Sequence, residues 1–382
     1  MAQQSKKKKS GGKTAAGIIL VPLILAALGG GLYIAGKDIL NNRGGKPDTA
    51  QSTAEQSVPE ETAPPVSAEP AETTTEALSG FADKAERTTD TITVNDTTKV
   101  LARNALLIEC SGNGGIVLAD HDADAEIYPA SMTKMMTLLT FSRLCDTEAL
   151  DETILMDADV LRKQEEQMAY VAGFEAGEAC RIRDLVYAMM LPSGADAAVM
   201  LATYAAGSEE AFVAEMNSLA AEMGLEHSHF ENVTGLHEET HVSSLNDIAR
   251  ILMTAIRDPF CADAMSTLQH TTAATAEHPK GIDLVSTTLS RMVGDELENL
   301  PDPLHVIGGK TGFTNPAGQC LATWAQSASG KTYVCVVAGS TTFQPLDAVG
   351  DTLSLYQLTG MPLGDVQRIV PDEADLPLYE HY

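Results

Sequence analysis

The sequence predicts a mixed fold of helices and strands, of the α+β class, in the part of the chain that begins near Val100. Short apolar runs typical of strands come first, amphipathic helical patterns fill the middle, and strand patterns return from His305. These two groups of strands would build one antiparallel sheet only if the ends of the folded region meet in it.

Each predicted element follows from a local pattern. The segment ARNALLIECSGNGGIVLAD places two apolar runs around residues 111–114 and predicts a β-hairpin. Apolar residues three and four apart predict helices in MTKMMTLLTFSRL, IRDLVYAMML, DAAVMLATYAA, EEAFVAEMNSLAAEMG and LNDIARILMTAI. The segments LHVIGGKTGF, QCLATWAQ and TYVCVVAGS predict strands, the last two joined across residues 327–331, and a closing helix is expected near residues 347–357.

The charge of the chain excludes one class of function. Its 382 residues carry 25 Lys+Arg against 53 Asp+Glu, a formal net charge of −28. Such a chain repels phosphate backbones, so we expect no nucleic acid among its partners. The six cysteines include no C-x-x-C pair, which gives no indication of a zinc or redox site, and the sequence does not assign them to disulfides.

The N-terminal quarter of the sequence predicts a membrane anchor and a tether. Residues 1–14 include the basic run Lys6 to Lys9, and residues 15–36 contain no charge and are long enough to cross a bilayer. Because lysines before a span stay in the cytoplasm, everything after it should lie outside the cell membrane. The alternative is a cleaved signal peptide, but the apolar region of such a peptide is normally only about 7–15 residues long. Residues 37–98, rich in Thr, Glu, Pro and Ala, predict a disordered acidic linker before a domain at 99–360 and a tail at 361–382.

The first candidate site is Ser131 with Lys134, in the segment PASMTK at the predicted start of a helix. Residues three apart share a helix face, so the serine hydroxyl and the lysine amine can meet. A lysine in a dry, cation-rich pocket has a lowered pKa and can take the proton of a serine nucleophile. Taken alone, the pattern is weak, because it is more often that of a helix-capping serine and a surface lysine.

Two further segments carry candidate residues. Ser193 lies in LPSGADAA, a turn between two predicted helices, where the alternative is a Pro stop followed by a cap. The segment Lys310, Thr311, Gly312 and Phe313 lies on a predicted strand, where the glycines let a substrate backbone lie alongside and the Lys and Thr can hold an anion. A nucleotide-binding loop is excluded because Leu304 stands where its first glycine would be.

In this order and spacing, 193 − 131 = 62 and 310 − 193 = 117 residues apart, the three segments resemble the low-molecular-mass penicillin-binding proteins. These are the serine-type D-alanyl-D-alanine carboxypeptidases of the β-lactamase/transpeptidase-like superfamily. The resemblance covers about residues 101 to 360 and extends to LVYAMMLPSGADAAVMLA, ENVTGLHEETHVSSLNDIARI and GGKTGFTNPAGQCLATWA. It implies a five-stranded antiparallel sheet flanked by helices with an all-helical subregion, and it makes 99–360 the catalytic domain.

The resemblance also implies roles. Ser131 would be the acylated nucleophile, Lys134 its base and Ser193 a proton relay to the leaving D-alanine. Lys310 and Thr311 would hold the substrate carboxylate, and the N–H groups of Ser131 and Phe313, beside Gly312, would form an oxyanion hole. The implied partners are peptidoglycan stem peptides and β-lactam antibiotics, on the cell-wall side of the membrane, with no cofactor and no metal.

Two positions depart from the family pattern. Ala195 stands where the family has an asparagine, and Leu346 stands where it usually has an arginine beyond the last strand. A catalytically impaired peptidoglycan-binding or β-lactam-sensing homologue is therefore the alternative function. A β-lactamase-like hydrolase is a third interpretation, although no segment resembles the glutamate-bearing loop that such enzymes need.

The segment His237 to His241 matches the H-E-x-x-H pattern of zinc proteases. Zinc binding by that pattern requires a helix, which would place both histidines on one face. Gly235 and the β-branched neighbours give no apolar helical stripe, and Ser243 looks like the start of the next helix. We therefore predict a polar loop at this segment and no metal.

Overall fold

The computed structural model describes residues 86–87, 100–112, 114–292, 297–340 and 347–360. The predicted basic segment 1–14, the anchor at 15–36 and the tail at 361–382 lie outside these residues, as does the linker at 37–98 apart from residues 86–87. Within the described ranges, no helix is both long and apolar enough to cross a membrane. The anchor therefore stays a prediction.

Most of the helices lie between two groups of strands along the chain. The strands are β1 (Glu86–Arg87), β2 (Asn104–Ser111), β3 (Gly114–His121), β4 (Thr153–Leu155), β5 (Ala179–Arg181), β6 (Gln269–Thr271), β7 (Asp283–Val285), β8 (Leu304–Thr314), β9 (Gly318–Ser327) and β10 (Thr332–Ser340). The helices are α1 (Thr133–Leu144), α2 (Ala158–Glu166), α3 (Ile182–Met190), α4 (Ala195–Ala206), α5 (Glu209–Glu222), α6 (Leu245–Ala255), α7 (Pro259–Ser266) and α8 (Asp347–Tyr356).

The central sheet joins strands from both ends of the domain. Its order is β1-β3-β2-β10-β9-β8, and β2 pairs antiparallel with β10 so that Leu107 lies opposite Cys335. The five strands β3, β2, β10, β9 and β8 are mutually antiparallel, as predicted. The sixth strand, β1, has two residues, runs parallel to β3 and falls within the segment predicted as a linker.

Two hydrophobic layers hold the sheet between helices. Because side chains alternate along a strand, Leu106 of β2 belongs to the larger cluster, together with buried residues of α1 and α6, while Leu107 faces the other side. The smaller cluster contains Leu107, Val337 of β10 and Leu355 of α8. The helical subregion therefore lies on one face of the sheet and α8 covers the other.

The predicted hairpin, the five middle helices and the three last strands are confirmed. Two helices were not predicted. Gln164 is the only fully buried residue of α2, so that helix shows no apolar stripe in the sequence, and α7 is a short helix that begins at Pro259. The prediction for Ser243 was wrong by one residue, because Ser244 caps α6 and accepts a hydrogen bond from the N–H of Asp247 at 3.2 Å.

Candidate active site

Ser131 and Lys134 meet at the start of α1. A single 3-10 turn, Ala130–Met132, precedes the helix and carries the serine. The Ser131 Oγ lies 3.1 Å from the Lys134 Nζ, the contact that the spacing predicts. Ala130 has a φ of 47°, a left-handed conformation that costs free energy in a non-glycine residue and is common at functional sites. The turn therefore presents the Ser131 hydroxyl to the lysine rather than using it as a helix cap.

Lys134 is suited to act as a base. The residue is only 2 % exposed, and burial lowers the pKa of its amine from 10.5 to about 7. The buried carboxylate of Asp196 acts in the opposite direction and raises that pKa. Asp196 is held in place because both of its oxygens accept from the N–H of Ala172, at 3.0 and 3.1 Å. Burial has the larger effect, so much of Lys134 is neutral near pH 7.

A loop after α5 fixes the position of the lysine amine. Lys134 Nζ donates to the carbonyl oxygen of Thr234 at 2.7 Å. Asn232 shapes the turn, because its Oδ1 accepts from the N–H of Thr234 at 3.1 Å and from that of Gly235 at 2.8 Å. Gly235 has a φ of 81°, and a Cβ there would lie 1.9 Å from the carbonyl oxygen of Ala130. Only glycine therefore lets this loop pack against the turn that carries Ser131.

His241 joins the same loop to α1. Its Nδ1 accepts from the N–H of Glu231 at 3.1 Å, so the ring proton belongs on Nε2, which lies 2.8 Å from the Thr133 Oγ1. His241 is 2 % exposed, and burial lowers its pKa to about 4. The histidine is therefore neutral near pH 7 and links the loop to the residue next to Lys134.

The predicted loop at His237 to His241 is confirmed, since no helix covers it. The His237 ring packs edge-on against Tyr128 at a centroid distance of 4.6 Å. Among the described residues, no group of three or more His, Cys, Asp or Glu side chains is placed to hold a metal ion.

Ser193 lies in the turn between α3 and α4, as predicted. Its φ is 74°, another left-handed non-glycine conformation. Its hydroxyl makes no hydrogen bond within the described residues, so the structure does not join it directly to Ser131 or Lys134. Ala195 follows at the start of α4, is 2 % exposed and donates its N–H to the carbonyl oxygen of Tyr170 at 2.8 Å. Its methyl group offers no polar contact to the lysine.

The Lys-Thr-Gly segment lies on β8, the strand at one edge of the sheet. Lys310 is fully buried, and burial followed by the charges of Lys134 and Arg291 holds its pKa well below the ordinary value. Its Nζ donates to the carbonyl oxygen of Thr311 at 3.0 Å. A Cβ on Gly312 would lie 3.2 Å from the backbone nitrogen of Ser131, so this strand runs directly past the serine. Phe313 is 51 % exposed.

Sequence reasoning missed several residues around the site. Asp196 stood in the predicted turn without a role, and Asn232, Thr234 and His241 lie in a loop with no periodic pattern. Asn232 and Gly235, two turn-forming residues three positions apart, are the signal that indicates a fixed turn. Leu346, the second departure from the family pattern, lies outside the described residues.

The chain has an antiparallel sheet with helices on both faces and a Ser-x-x-Lys pair beside a Lys-Thr-Gly strand. This is the arrangement of the penicillin-recognising class of proteins. Residues 90–342 match peptidase family S11, described as D-alanyl-D-alanine carboxypeptidase. The chain belongs to this family.

Curated relatives and solved structures agree with that assignment. The D-alanyl-D-alanine carboxypeptidase DacF of Bacillus subtilis is 32 % identical over 244 residues, which are 63 % of this chain and 58 % of DacF. DacA of Escherichia coli is 36 % identical over 150 residues, 38 % of this chain and 37 % of DacA. The chain thus spans less than two thirds of the length of these relatives.

Two solved structures share the fold. The Streptomyces K15 DD-transpeptidase has a TM-score of 0.59 at 23 % identity and covers 70 % of this chain and 100 % of its own. A D-alanyl-D-alanine carboxypeptidase from Mycobacterium tuberculosis has a TM-score of 0.59 at 21 % identity, with 74 % and 98 % covered. At these identities the likeness shows the fold alone.

Proposed function

We propose that this protein is a serine-type D-Ala-D-Ala carboxypeptidase, which removes the terminal D-alanine from peptidoglycan stem peptides through an acyl-enzyme. The observation that carries the proposal is the 3.1 Å contact between Ser131 Oγ and a buried Lys134 whose pKa is about 7. Family membership and the D-alanyl-D-alanine carboxypeptidase activity for which DacF and DacA are named support the substrate class.

Acylation uses the neutral form of Lys134. The Ser131 Oγ attacks the carbonyl carbon of the penultimate D-alanine while its proton moves to the Lys134 Nζ. The amine can accept this proton because its other contact, to the Thr234 carbonyl at 2.7 Å, uses one of its own hydrogens and leaves the lone pair for Ser131. The new oxyanion is stabilised by the N–H groups of Ser131 and Phe313.

Cleavage returns the proton. The C–N bond of the tetrahedral intermediate breaks, and the leaving D-alanine nitrogen takes a proton that Lys134 gives up through the Ser193 hydroxyl. Ser131 is then an ester of the shortened peptide. Water attacks that ester while neutral Lys134 takes its proton, the bond between the acyl carbon and Oγ breaks, and Oγ leaves with that proton from Lys134, which restores the free enzyme.

The substrate carboxylate belongs beside β8. Lys310 and Thr311 supply an amine and a hydroxyl there, and Gly312 keeps the strand close to Ser131, so a bound peptide can lie between the strand and the serine. β-Lactam antibiotics, which carry an amide and a carboxylate in similar positions, are expected to acylate the same serine. No cofactor and no metal is needed for these steps.

The cellular arrangement belongs to the same proposal. Residues 15–36 anchor the chain in the cell membrane, residues 37–98 form a linker, and the catalytic domain at 99–360 works on the cell-wall side. The uncharged run at 15–36 and the lysines before it support this arrangement.

An impaired homologue that binds peptidoglycan or senses β-lactams is the second candidate, and Ala195 favours it. The buried methyl group leaves the site without the amide that the family pattern provides. Among related proteins there are also a D-alanyl-D-alanine endopeptidase of Pseudomonas aeruginosa, 28 % identical over 209 residues, and the K15 DD-transpeptidase. These relatives differ in the activity for which they are named, so the acceptor of the acyl group, water or an amine, has to be identified together with the function.

One assay tests the proposal. The full-length protein is incubated with a peptide ending in D-Ala-D-Ala, and free D-alanine and the shortened peptide are measured, with Ser131→Ala as the matched control. Equal amounts of both products from the wild-type protein alone support the carboxypeptidase. Covalent labelling by a fluorescent penicillin without D-alanine release would favour the impaired homologue, and a chelator should change neither result.

A further inference from the structure

A polar cavity lies between helices α2 and α5 and the loop that follows α5. Its volume is about 180 Å³, several times the space that one water molecule needs. Ser131 and Lys134 do not line it, but Asn232 and Thr234 do. Thr234 is the residue whose carbonyl oxygen accepts from the Lys134 amine at 2.7 Å. The cavity is therefore distinct from the candidate active site but shares with it the turn that holds the lysine.

Gln164 is the one buried residue of α2, and it lines this cavity. The residue is 1 % exposed, and its Oε1 accepts no hydrogen bond from any residue within the described ranges. A surface helix normally buries an apolar stripe, whereas a buried amide oxygen without a donor has lost its hydration without compensation. A ligand that donates a hydrogen bond inside the cavity would provide this compensation.

The charged residues around the cavity are mostly acidic. It is lined by one lysine, Lys163, and by four glutamates, Glu209, Glu210, Glu231 and Glu238. Lys163 already pairs with Glu209, at a distance of 3.5 Å between Nζ and Oε2. A hydrogen bond from the Thr240 hydroxyl lowers the pKa of Glu231, so this carboxylate is ionised near pH 7. The lining therefore favours a ligand that is positively charged as well as a hydrogen-bond donor.

Apolar residues in the lining indicate which kind of cation fits. Val213 and Leu236, both half-buried, also line the cavity and can pack against an aliphatic chain. A divalent metal ion is less suited, because in the part of the chain that the structure describes no three His, Cys, Asp or Glu side chains are grouped to hold one. An alkyl chain that ends in an ammonium group matches both the apolar and the acidic parts of the wall.

We propose that this cavity binds a primary alkylammonium group, whose N–H hydrogens are donated to the Gln164 Oε1 and to the glutamate carboxylates. The group is carried by a free amine or by the side chain of a basic residue in a peptide. The bound amine contacts the turn at Asn232 and Thr234 that positions Lys134. The inference does not depend on release of D-alanine.

Calorimetry on the full-length protein tests the site, in a Ser131→Ala background that prevents acylation. Pentylamine should bind, and pentanol, its uncharged analogue, should not. Gln164→Leu keeps the approximate size of the side chain but removes the acceptor, so it should weaken amine binding about ten- to a hundredfold. Glu238→Gln removes one exposed charge and should weaken it about two- to fivefold. The matched change Glu215→Gln, on α5 but outside the cavity, should have no effect.

Two peptides distinguish the sources of the amine. Both end in Lys-D-Ala-D-Ala, and the side-chain amine of the lysine is free in one and acetylated in the other. Tighter binding of the free-amine peptide, lost in Gln164→Leu, assigns the group to a peptide ligand. Equal binding of the two peptides, together with a preference for pentylamine over pentanol, assigns it to a free amine.

Three results would overturn the proposal. The first is no preference for pentylamine over pentanol and none for the free-amine peptide over the acetylated one. The second is a preference that Gln164→Leu leaves unchanged, and the third is tighter binding of calcium chloride than of pentylamine. If Gln164→Leu does not fold, as judged by circular dichroism, equal affinity of Glu238→Gln and Glu215→Gln for the amine overturns it instead. Because no turnover is measured, a protein without carboxypeptidase activity gives the same answer.

Discussion

Acylation should depend on pH with a midpoint near 7, because Lys134 must be neutral to accept the Ser131 proton. Burial lowers the pKa of this amine from 10.5 to about 7. At pH 7 about half of it is then the free base, about a thousandfold more than for a lysine with the ordinary pKa. The rate should therefore rise with pH through 7, become constant above pH 8, and fall about tenfold for each pH unit below 6.

The assay is the rate of labelling of the full-length protein by a fluorescent penicillin between pH 5 and 9. The charge of Asp196 raises the pKa of Lys134, so Asp196→Asn should move the midpoint to lower pH. The amide retains an oxygen that can accept from the Ala172 N–H. A rate that is flat from pH 5 to 8, or a midpoint above 9, would refute a buried lysine base. A midpoint that rises in Asp196→Asn would refute the assigned direction.

Other substitutions test the rest of the site. Ser131→Ala should abolish labelling by a fluorescent penicillin, and labelling that persists would place the nucleophile elsewhere. Lys134→Ala should abolish it nearly as completely, since residues that act as one unit are not additive. Ala195→Asn should raise D-alanine release about ten- to a hundredfold if the added amide contacts a charged group in the transition state only; slower release would mean that the pocket is built around alanine. Asn232→Ala should slow labelling about tenfold or more, because it frees the turn that holds the Thr234 carbonyl; labelling unaffected by Asn232→Ala would show that the turn holds without it.

Elements with strong local patterns could be predicted from the sequence. Helix α6 has apolar residues that all face the core, so its helical period located it, and β2 and β10 contribute apolar residues to both layers, so short apolar runs located them. Helix α2 could not be found in this way, because its surface is almost entirely polar and tertiary contacts hold it. Neither could the antiparallel pairing of β2 with β10, since it joins segments more than 200 residues apart.

The candidate site also combines a contact that could be predicted from the sequence with one that could not. Ser131 and Lys134 are three residues apart, so helical geometry alone brings them together. The contact of Lys134 with Thr234 spans 100 residues and ends on a backbone carbonyl, a group that every residue carries.

The pairing of β2 with β10 at the centre of the sheet determines when the candidate site can first form. A ribosome that has reached residue 300 has made Ser131 and Lys134 but neither Lys310 nor any of the three last strands. The chain can then form helices but not the sheet, and the closing step must join its most distant segments, which makes it slow. An unfinished chain therefore has Ser131 and Lys134 without the Lys-Thr-Gly strand beside them, and the candidate site is complete only when β8, β9 and β10 have been made.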